Sequence, residues 1–319
     1  MRKIVVFNKM NDPLTREMEE LSRFSDVELI KSPAVEEADL IRDAKDAEII
    51  LFTSAKLNRN VISSLEKCKM IQRYGIGYDT VDTEAAREAG IFVCNSPNYG
   101  VTDVAEHAFA LIMSCIKNLT RMNDRVREGN MGFVDMGCWM RLTGKTVGFV
   151  GFGKIARALC GMMKAFGISP IVYDPYVTYA ALSEYGAKSV SLNEVMSSAD
   201  IVTVHAPLTE GTRQLIGKEE LALVKPSVII VNTSRGPLID EAALAEALSE
   251  GRVFAAGLDV YENETEATDE RIRNARNVSL TPHVAWNTAE AVVALHEEVA
   301  LNVARYLEGK RPDSVVNGL

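Results

Sequence analysis

Val147-Gly-Phe-Val-Gly-Phe-Gly-Lys-Ile-Ala-Arg157 is the stretch whose reading decides the fold. It places G-x-G-x-x-A at Gly151, Gly153 and Ala156, directly after an apolar run of strand type and at the opening of a helical pattern. Each small residue has its own physical reason. The first permits a tight strand-to-helix turn, the second lets backbone approach a diphosphate, and the third brings the helix close to the sheet. The helix N-terminus, with Lys154 and Ile155 in its first turn, adds unpaired N–H groups and the positive end of the dipole. The next strand pattern, residues 170–173, runs into Asp174, which stands where such a fingerprint places its acid, about 20 residues on. A carboxylate there accepts hydrogen bonds from both ribose hydroxyls and repels a 2′-phosphate. The stretch therefore predicts a dinucleotide site that prefers NAD to NADP.

Outward from this turn, apolar runs alternate with amphipathic stretches of helix length. Residues 146–150, 170–173, 201–204, 228–232, 255–258 and 278–280 give six candidate strands, and residues 4–7, 27–30, 48–52, 70–73 and 91–94 give five more. Runs apolar on both faces with helical crossovers between them indicate parallel sheets. The fold class expected is α/β with two doubly wound parallel-sheet domains, one a Rossmann dinucleotide-binding domain and the other a flavodoxin-like layer sandwich. Between them a single helical pattern covers residues 102–128, with Val104, Ala108, Leu111, Ile112 and Cys115 on one face. Such a helix suits a domain junction or a dimer surface. A loop with Gly129, Gly132, Gly137 and Trp139 follows it, and a last helical pattern over residues 288–307 stops at Gly309.

The 319 residues exceed the usual single core, which agrees with two domains. A hydrophobic content of 47% with 25% charged residues is that of a globular chain rather than a disordered one. The formal charge of -9 argues against nucleic acid or an anionic membrane as the main partner. The first ten residues hold too short an apolar run for a signal peptide or a span. Five cysteines, Cys68, Cys94, Cys115, Cys138 and Cys160, show no C-x-x-C spacing, so reduced buried thiols in a cytoplasmic protein, and no metal site, are expected.

Three further strand ends carry polar residues that packing does not require: Asn232-Thr-Ser-Arg-Gly-Pro, Gly257-Leu-Asp-Val-Tyr-Glu-Asn-Glu and Thr281-Pro-His-Val-Ala-Trp. Ligands of open α/β sheets bind beyond the carboxyl ends of the strands, so Arg235, Asp259, Glu264 and His283 can converge on one cofactor. An arginine, an acid and a histidine together suit acid–base chemistry on an anion.

With these motifs, and with Arg73-Tyr-Gly-Ile-Gly-Tyr-Asp-Thr-Val-Asp, Asp174-Pro and His205-Ala-Pro-Leu in the expected order, nearly the whole chain resembles the D-isomer-specific 2-hydroxyacid dehydrogenases. That family includes D-3-phosphoglycerate dehydrogenase, glycerate and glyoxylate reductases and the C-terminal-binding-protein corepressors. The resemblance implies an NAD-dependent enzyme that moves a hydride between nicotinamide and a small 2-hydroxy or 2-oxo acid. It implies that Arg235 binds the substrate carboxylate and carbonyl oxygen, that His283 is the general acid and base, and that Glu264 orients His283. The family's usual proline after this glutamate is Thr265 here, and Glu262 and Glu266 flank it, so the assignment rests on the five-residue step from Asp259.

The resemblance also implies that Asp259 faces the nicotinamide and that the Ile76 and Gly77 amides hold the carboxylate, with Ile76 touching NAD. Thr102, Ala206, Pro207, Thr233, Ser234 and Ala285 complete the implied cofactor contacts, and Trp286 walls the substrate pocket. By the same likeness residues 1–98 with 288–319 form the substrate domain and residues 99–287 the NAD-binding domain. A homodimer is implied, and the extra regulatory domain of some phosphoglycerate dehydrogenases is not expected. The rival from another class is a corepressor-like protein that uses NAD as a conformational ligand, which Trp286 and Arg311-Pro-Asp-Ser also resemble.

Overall fold

Two separate parallel sheets account for every strand of the computed structural model, which describes residues 1–7, 13–133, 140–264, 268–275 and 277–319. Gly137, Cys138, Trp139, Thr265 and Glu266 lie outside the described residues. The chain divides into unit 1, Met1–Gly100 with Thr288–Leu319, and unit 2, Val101–Asn287.

Unit 1 runs β1 (Arg2–Phe7), α1 (Thr15–Leu21), β2 (Val27–Ser32), α2 (Glu37–Ala44), β3 (Ile49–Phe52), α3 (Arg59–Ser63), β4 (Met70–Arg73), α4 (Thr83–Glu88) and β5 (Phe92–Cys94). The sheet order is β2-β1-β3-β4-β5, and all four residues of the central β3 are buried, as a strand covered on both faces requires. Unit 2 continues with α5 (Val101–Lys117), α6 (Leu119–Arg127), β6 (Thr146–Val150), α7 (Lys154–Met163), β7 (Ser169–Tyr173), α8 (Tyr179–Tyr185), β8 (Lys188–Ser189) and α9 (Leu192–Ser198). It is completed by β9 (Ile201–Val204), α10 (Lys218–Ala222), β10 (Ile229–Asn232), α11 (Glu241–Ser249), β11 (Ala255–Leu258), α12 (Glu270–Arg273) and β12 (Val278–Leu280). The last helix, α13 (Ala289–Leu307), belongs to unit 1.

In unit 2 the order is β12-β11-β10-β9-β6-β7-β8, every pair parallel, so the order reverses beside β6. In open parallel sheets ligands bind at such a reversal, here beyond the carboxyl ends of β6 and β9. Side chains alternate between two cores. Ile229 and Val231 of β10 pack with the cluster that includes Leu111 of α5 and Leu159 of α7, whereas Ile230 packs with Val195 of α9 and Leu244 of α11.

Two local features differ from the sequence expectation. The helical pattern over residues 102–128 is two helices, because Asn118 sits at φ +50 between α5 and α6. A left-handed residue cannot continue a right-handed helix, and asparagine is among the few that tolerate it. The apolar periodicity passes through this break, which is why the pattern hides it. The second sheet also has a seventh strand, β8, whose two residues are both exposed and carry no pattern to read.

The return of α13 completes unit 1 with polar contacts. Asn302 donates to Gln72 Oε1 (2.6 Å), and its own oxygen accepts from the Asp313 amide (2.7 Å). The fully buried Glu17 accepts from the Tyr74 hydroxyl (2.8 Å) and pairs with His296 Nδ1 (2.7 Å). The terminal segment lies on the sheet edge: Val315 bridges Cys94, the Val316 amide donates to Val93 O (2.8 Å), and Asn317 Oδ1 accepts from the Val93 amide (3.1 Å). Burial pushes the thiols of Cys68, Cys94 and Cys115 up to about 12 and that of Cys160 to about 11, so all four are inert free thiols.

Candidate active site

The turn after β6 is shaped for a dinucleotide. Gly151 has φ +86, and a β-carbon on it would stand 2.7 Å from the Ala206 amide nitrogen and 2.8 Å from the His205 carbonyl carbon. Only glycine meets both conditions. Gly153 caps α7 without any side-chain hydrogen bond, and a β-carbon there would meet nothing within 4 Å, so the amide end of the helix opens to an incoming anion. Ala156 is fully buried, while Lys154 is exposed and Ile155 half-buried in the first turn.

Asp174 ends β7 with each oxygen engaged, Oδ2 by the Phe152 amide and Oδ1 by the Tyr176 amide, both at 2.8 Å. Two N–H donors fix the side chain and leave further lone pairs on its oxygens for ribose hydroxyls. These residues fit a dinucleotide with an unphosphorylated adenosine ribose. Losing hydrogen bonds to a charged acceptor costs about 1.5–3 kcal/mol each, so Asp174→Ala should lower kcat/KM with NADH by about 10- to 100-fold. The NADPH value should hold or rise, and an unchanged NADH to NADPH ratio would remove Asp174 from the discrimination.

The loop after β10 is stapled by its own asparagine. Asn232 Oδ1 accepts from the Ser234 amide (3.0 Å), and Nδ2 donates to Arg235 O (2.9 Å). Ser234 Oγ donates to Ala206 O (2.6 Å), tying this loop to the one after β9 that carries Pro207, and Arg235 Nη1 donates to Ser234 O (2.8 Å). Thr233 is buried beside them, its hydroxyl without a hydrogen-bond partner among the described residues. At Gly236 two loops touch backbone to backbone: a β-carbon would fall 1.9 Å from both C and O of Tyr261. This contact sets Arg235 beside the segment that leads to Glu264.

His283 stands on the turn after β12 at φ +54, its amide donating to Asp259 O (2.7 Å). Its Nδ1 lies 2.7 Å from Glu264 Oε2, which places Glu264 against the ring. Burial opposes ionisation of Glu264, but the hydrogen bond and charge of His283, a backbone hydrogen bond at Tyr261 and the Arg235 charge together hold it below the usual carboxylate range. An ionised Glu264 accepts only, so Nδ1 carries the hydrogen of this bond.

Asp259 is fully buried and accepts from Thr281 Oγ1 (2.6 Å) and from the Val284 and Ala285 amides (2.9 Å each). Each of these partners lies on the turn that carries His283. Tyr261 stays a neutral donor, since burial and the Asp259 charge raise its phenol to about 12, and its hydroxyl lies 3.0 Å from Thr281 O. Trp286 is half-buried on the same turn, and Thr102 is exposed in the first turn of α5.

Unit 2 thus brings together Arg235, Glu264, His283 and Asp259. Ile76 and Gly77 belong to unit 1, on the turn after β4, where Asn95 Nδ2 donates to Ile76 O (2.7 Å). His107 of α5, which sequence reasoning passed over, has Nε2 3.0 Å from Thr281 Oγ1; a histidine amid the apolar face of 104, 108, 111 and 115 was its signal. Among the described residues no group of three or more His, Cys, Asp or Glu is placed to hold a metal ion. No helix among them is long and apolar enough to cross a membrane.

Comparison with known proteins identifies the family. Residues 109–285 match the family model described as D-isomer specific 2-hydroxyacid dehydrogenase, NAD binding domain. The chain is 37% identical to the D-3-phosphoglycerate dehydrogenase of Methanocaldococcus jannaschii over 99% of its own length, but spans only 60% of that protein. It is 34% identical to the glyoxylate reductase of Thermococcus litoralis, covering 93% of this chain and 92% of that one. The crystal structure of a glyoxylate reductase from Paecilomyes thermophila superposes with a TM-score of 0.91 at 29% identity, over 99% of this chain and 98% of that one. With its second unit as an NAD-binding domain and NAD as the cofactor, the chain belongs to the D-isomer specific 2-hydroxyacid dehydrogenase family.

Proposed function

We propose that this chain reduces a small 2-oxo acid to the D-2-hydroxy acid with NADH, and runs the reverse reaction with NAD. The observation that carries this is the 2.7 Å pair of His283 Nδ1 and Glu264 Oε2, with Arg235 close enough to favour the Glu264 charge. NAD supplies the hydride donor and acceptor. Gly151, Gly153, Lys154, Ile155 and Asp174 hold its adenosine diphosphate end, and the loops with Ala206, Pro207, Thr233 and Ser234 hold the rest, with Thr102 and Ala285. Arg235 grips the carboxylate and carbonyl oxygen of the acid with a planar fork that lysine cannot reproduce. Trp286, on the same turn as His283, covers the substrate.

His283 Nε2–H gives its proton to the carbonyl oxygen as the alcohol forms, and Glu264 stabilises the charged ring before transfer and fixes its tautomer. In the oxidative direction Nε2 takes the proton back. No Arg or Lys but Arg73 stands on the 73–78 turn for a second anionic group, so small unphosphorylated acids are the first choice.

A panel of glyoxylate, hydroxypyruvate, pyruvate and phosphohydroxypyruvate, followed by NADH absorbance, tests the proposal. Turnover is expected with at least one unphosphorylated acid and much less with NADPH. NADH binding without turnover on any of them would favour the conformational-ligand role instead. Exposed Leu119 and Val126 on α6, a helix with no buried residue, support a homodimer, and the same preparation should sediment as two chains. Four buried free thiols support a reducing, cytoplasmic setting.

A further inference from the structure

We infer that His107 is a positioning residue for the turn that carries His283, acting through Thr281 and Asp259; this rests on His283 being the acid–base group. His283 occupies a left-handed conformation at φ +54, which for a residue with a side chain persists only where its surroundings over-determine it. Here they do. The His283 amide donates to Asp259 O at 2.7 Å, the next two amides, of Val284 and Ala285, donate to the Asp259 carboxylate at 2.9 Å, and the Tyr261 hydroxyl lies 3.0 Å from Thr281 O.

The direction of the remaining bonds follows from counting hydrogens. Thr281 Oγ1 has one proton, and at 2.6 Å from Asp259 Oδ1 it gives that proton to the carboxylate. The contact between Thr281 Oγ1 and His107 Nε2, 3.0 Å, must then run the other way, with the ring nitrogen donating. His107 is therefore an N–H donor at Nε2, and that nitrogen also lies 3.7 Å from Asp259 Oδ1. A donor chain runs from α5 through the Thr281 hydroxyl to a carboxylate with no exposure, and on to the amides beside His283. Without the His107 donor the Thr281 oxygen loses one of its two anchors, and its bond to the buried carboxylate that shapes the turn is held less firmly. The imidazole of His283 then shifts from its place against Glu264.

Four variants test this: His107→Leu, His107→Gln, Thr281→Val and the double His107→Leu/Thr281→Val. Glutamine carries an N–H donor near the place of the imidazole Nε2–H and should rescue what leucine loses. Single loss of the chain should lower kcat for 2-oxo acid reduction about 10-fold or more, the order expected when a proton-transfer group is displaced, while NADH affinity by fluorescence titration stays within about 2-fold. The glutamine variant should lie within about 3-fold of the parent, and the double variant should fall little below the worse single, because both break one chain.

A glutamine variant as slow as the leucine one, full kcat in His107→Leu, or losses that simply add in the double would each overturn the inference. Should His107→Leu fail to fold, Thr281→Val and His107→Gln decide it: a fast valine variant or a slow glutamine one is then the overturning result. His283→Asn is the reference. If it keeps turnover, the acid–base role itself falls; if it loses turnover while His107→Leu does not, only the role of His107 falls.

Discussion

Replacing His283 by asparagine is expected to lower kcat about 10²- to 10⁴-fold, the usual contribution of a positioned general acid–base, while NADH binding holds. Asparagine is chosen for two physical reasons. It tolerates the left-handed backbone found at this position better than most residues. Its amide nitrogen also stands near the place of Nδ1, so the contact with Glu264 survives in kind. What disappears is the second ring nitrogen, which the imidazole presents to the substrate for proton transfer. Steady-state rates with NADH absorbance and a fluorescence titration of NADH separate the two effects, and a kcat within about 3-fold of the parent would end the assignment.

The pH dependence has a definite sign. In the folded chain Glu264 ionises below the usual carboxylate range, so its pairing with His283 is fully present above about pH 4.3, the ordinary glutamate value. It is lost only as the pH falls through the lowered value. Near neutrality the Glu264 side of the profile should be flat, which a pH series of steady-state rates checks.

Gly236→Ala should be nearly as damaging, for a steric reason. Its added methyl would stand 1.9 Å from the Tyr261 carbonyl carbon and oxygen and 2.5 Å from the Glu262 nitrogen, all of them backbone atoms that no rotamer change can move. One loop has to retreat, and Arg235 immediately precedes the collision while Glu264 follows Tyr261 by three residues. A displacement of about 1 Å at reacting groups costs about 10²-fold, so kcat/KM should fall by that order. Overpacking should also cost about 1–3 kcal/mol of stability, read as a lowered Tm. Gly251→Ala separates the two losses. That glycine has φ +72 but no atom within 4 Å of a β-carbon, so alanine there should lower Tm and spare activity. Equal activity in Gly236→Ala and the parent would show that the two loops do not hold the arginine and glutamate in register.

How much of this was legible beforehand depends on the range of each interaction. The glycine turn and Asp174 could be read because strand, turn and helix are local signals only a few residues apart. Arg235 and His283 could be read as candidates because they follow strand-like runs, and a parallel sheet collects such ends on one side. Which glutamate meets the histidine was not fixed by spacing alone, since Glu262, Glu264 and Glu266 all lie within reach in sequence. His107 stood 174 residues from its hydroxyl partner, and Glu17 stood 279 residues from His296. No periodicity encodes pairings of that kind. The break at Asn118 escaped for the opposite reason, as one residue's backbone choice leaves the surrounding apolar pattern untouched.

The split of unit 1 across the chain has a kinetic side. A ribosome releases residues 1–100 first, yet the Val93 carbonyl and amide of β5, which Val316 and Asn317 later engage, remain uncovered at that stage. Translation of the intervening unit takes about 10–40 s at ordinary elongation rates. For that interval the nascent N-terminal sheet carries a bare edge, with Gln72 still lacking the amide of Asn302. An unpaired edge is a template for pairing with other chains. Unit 2, whose residues are contiguous, can mature in the meantime, so the half translated first is the half completed last.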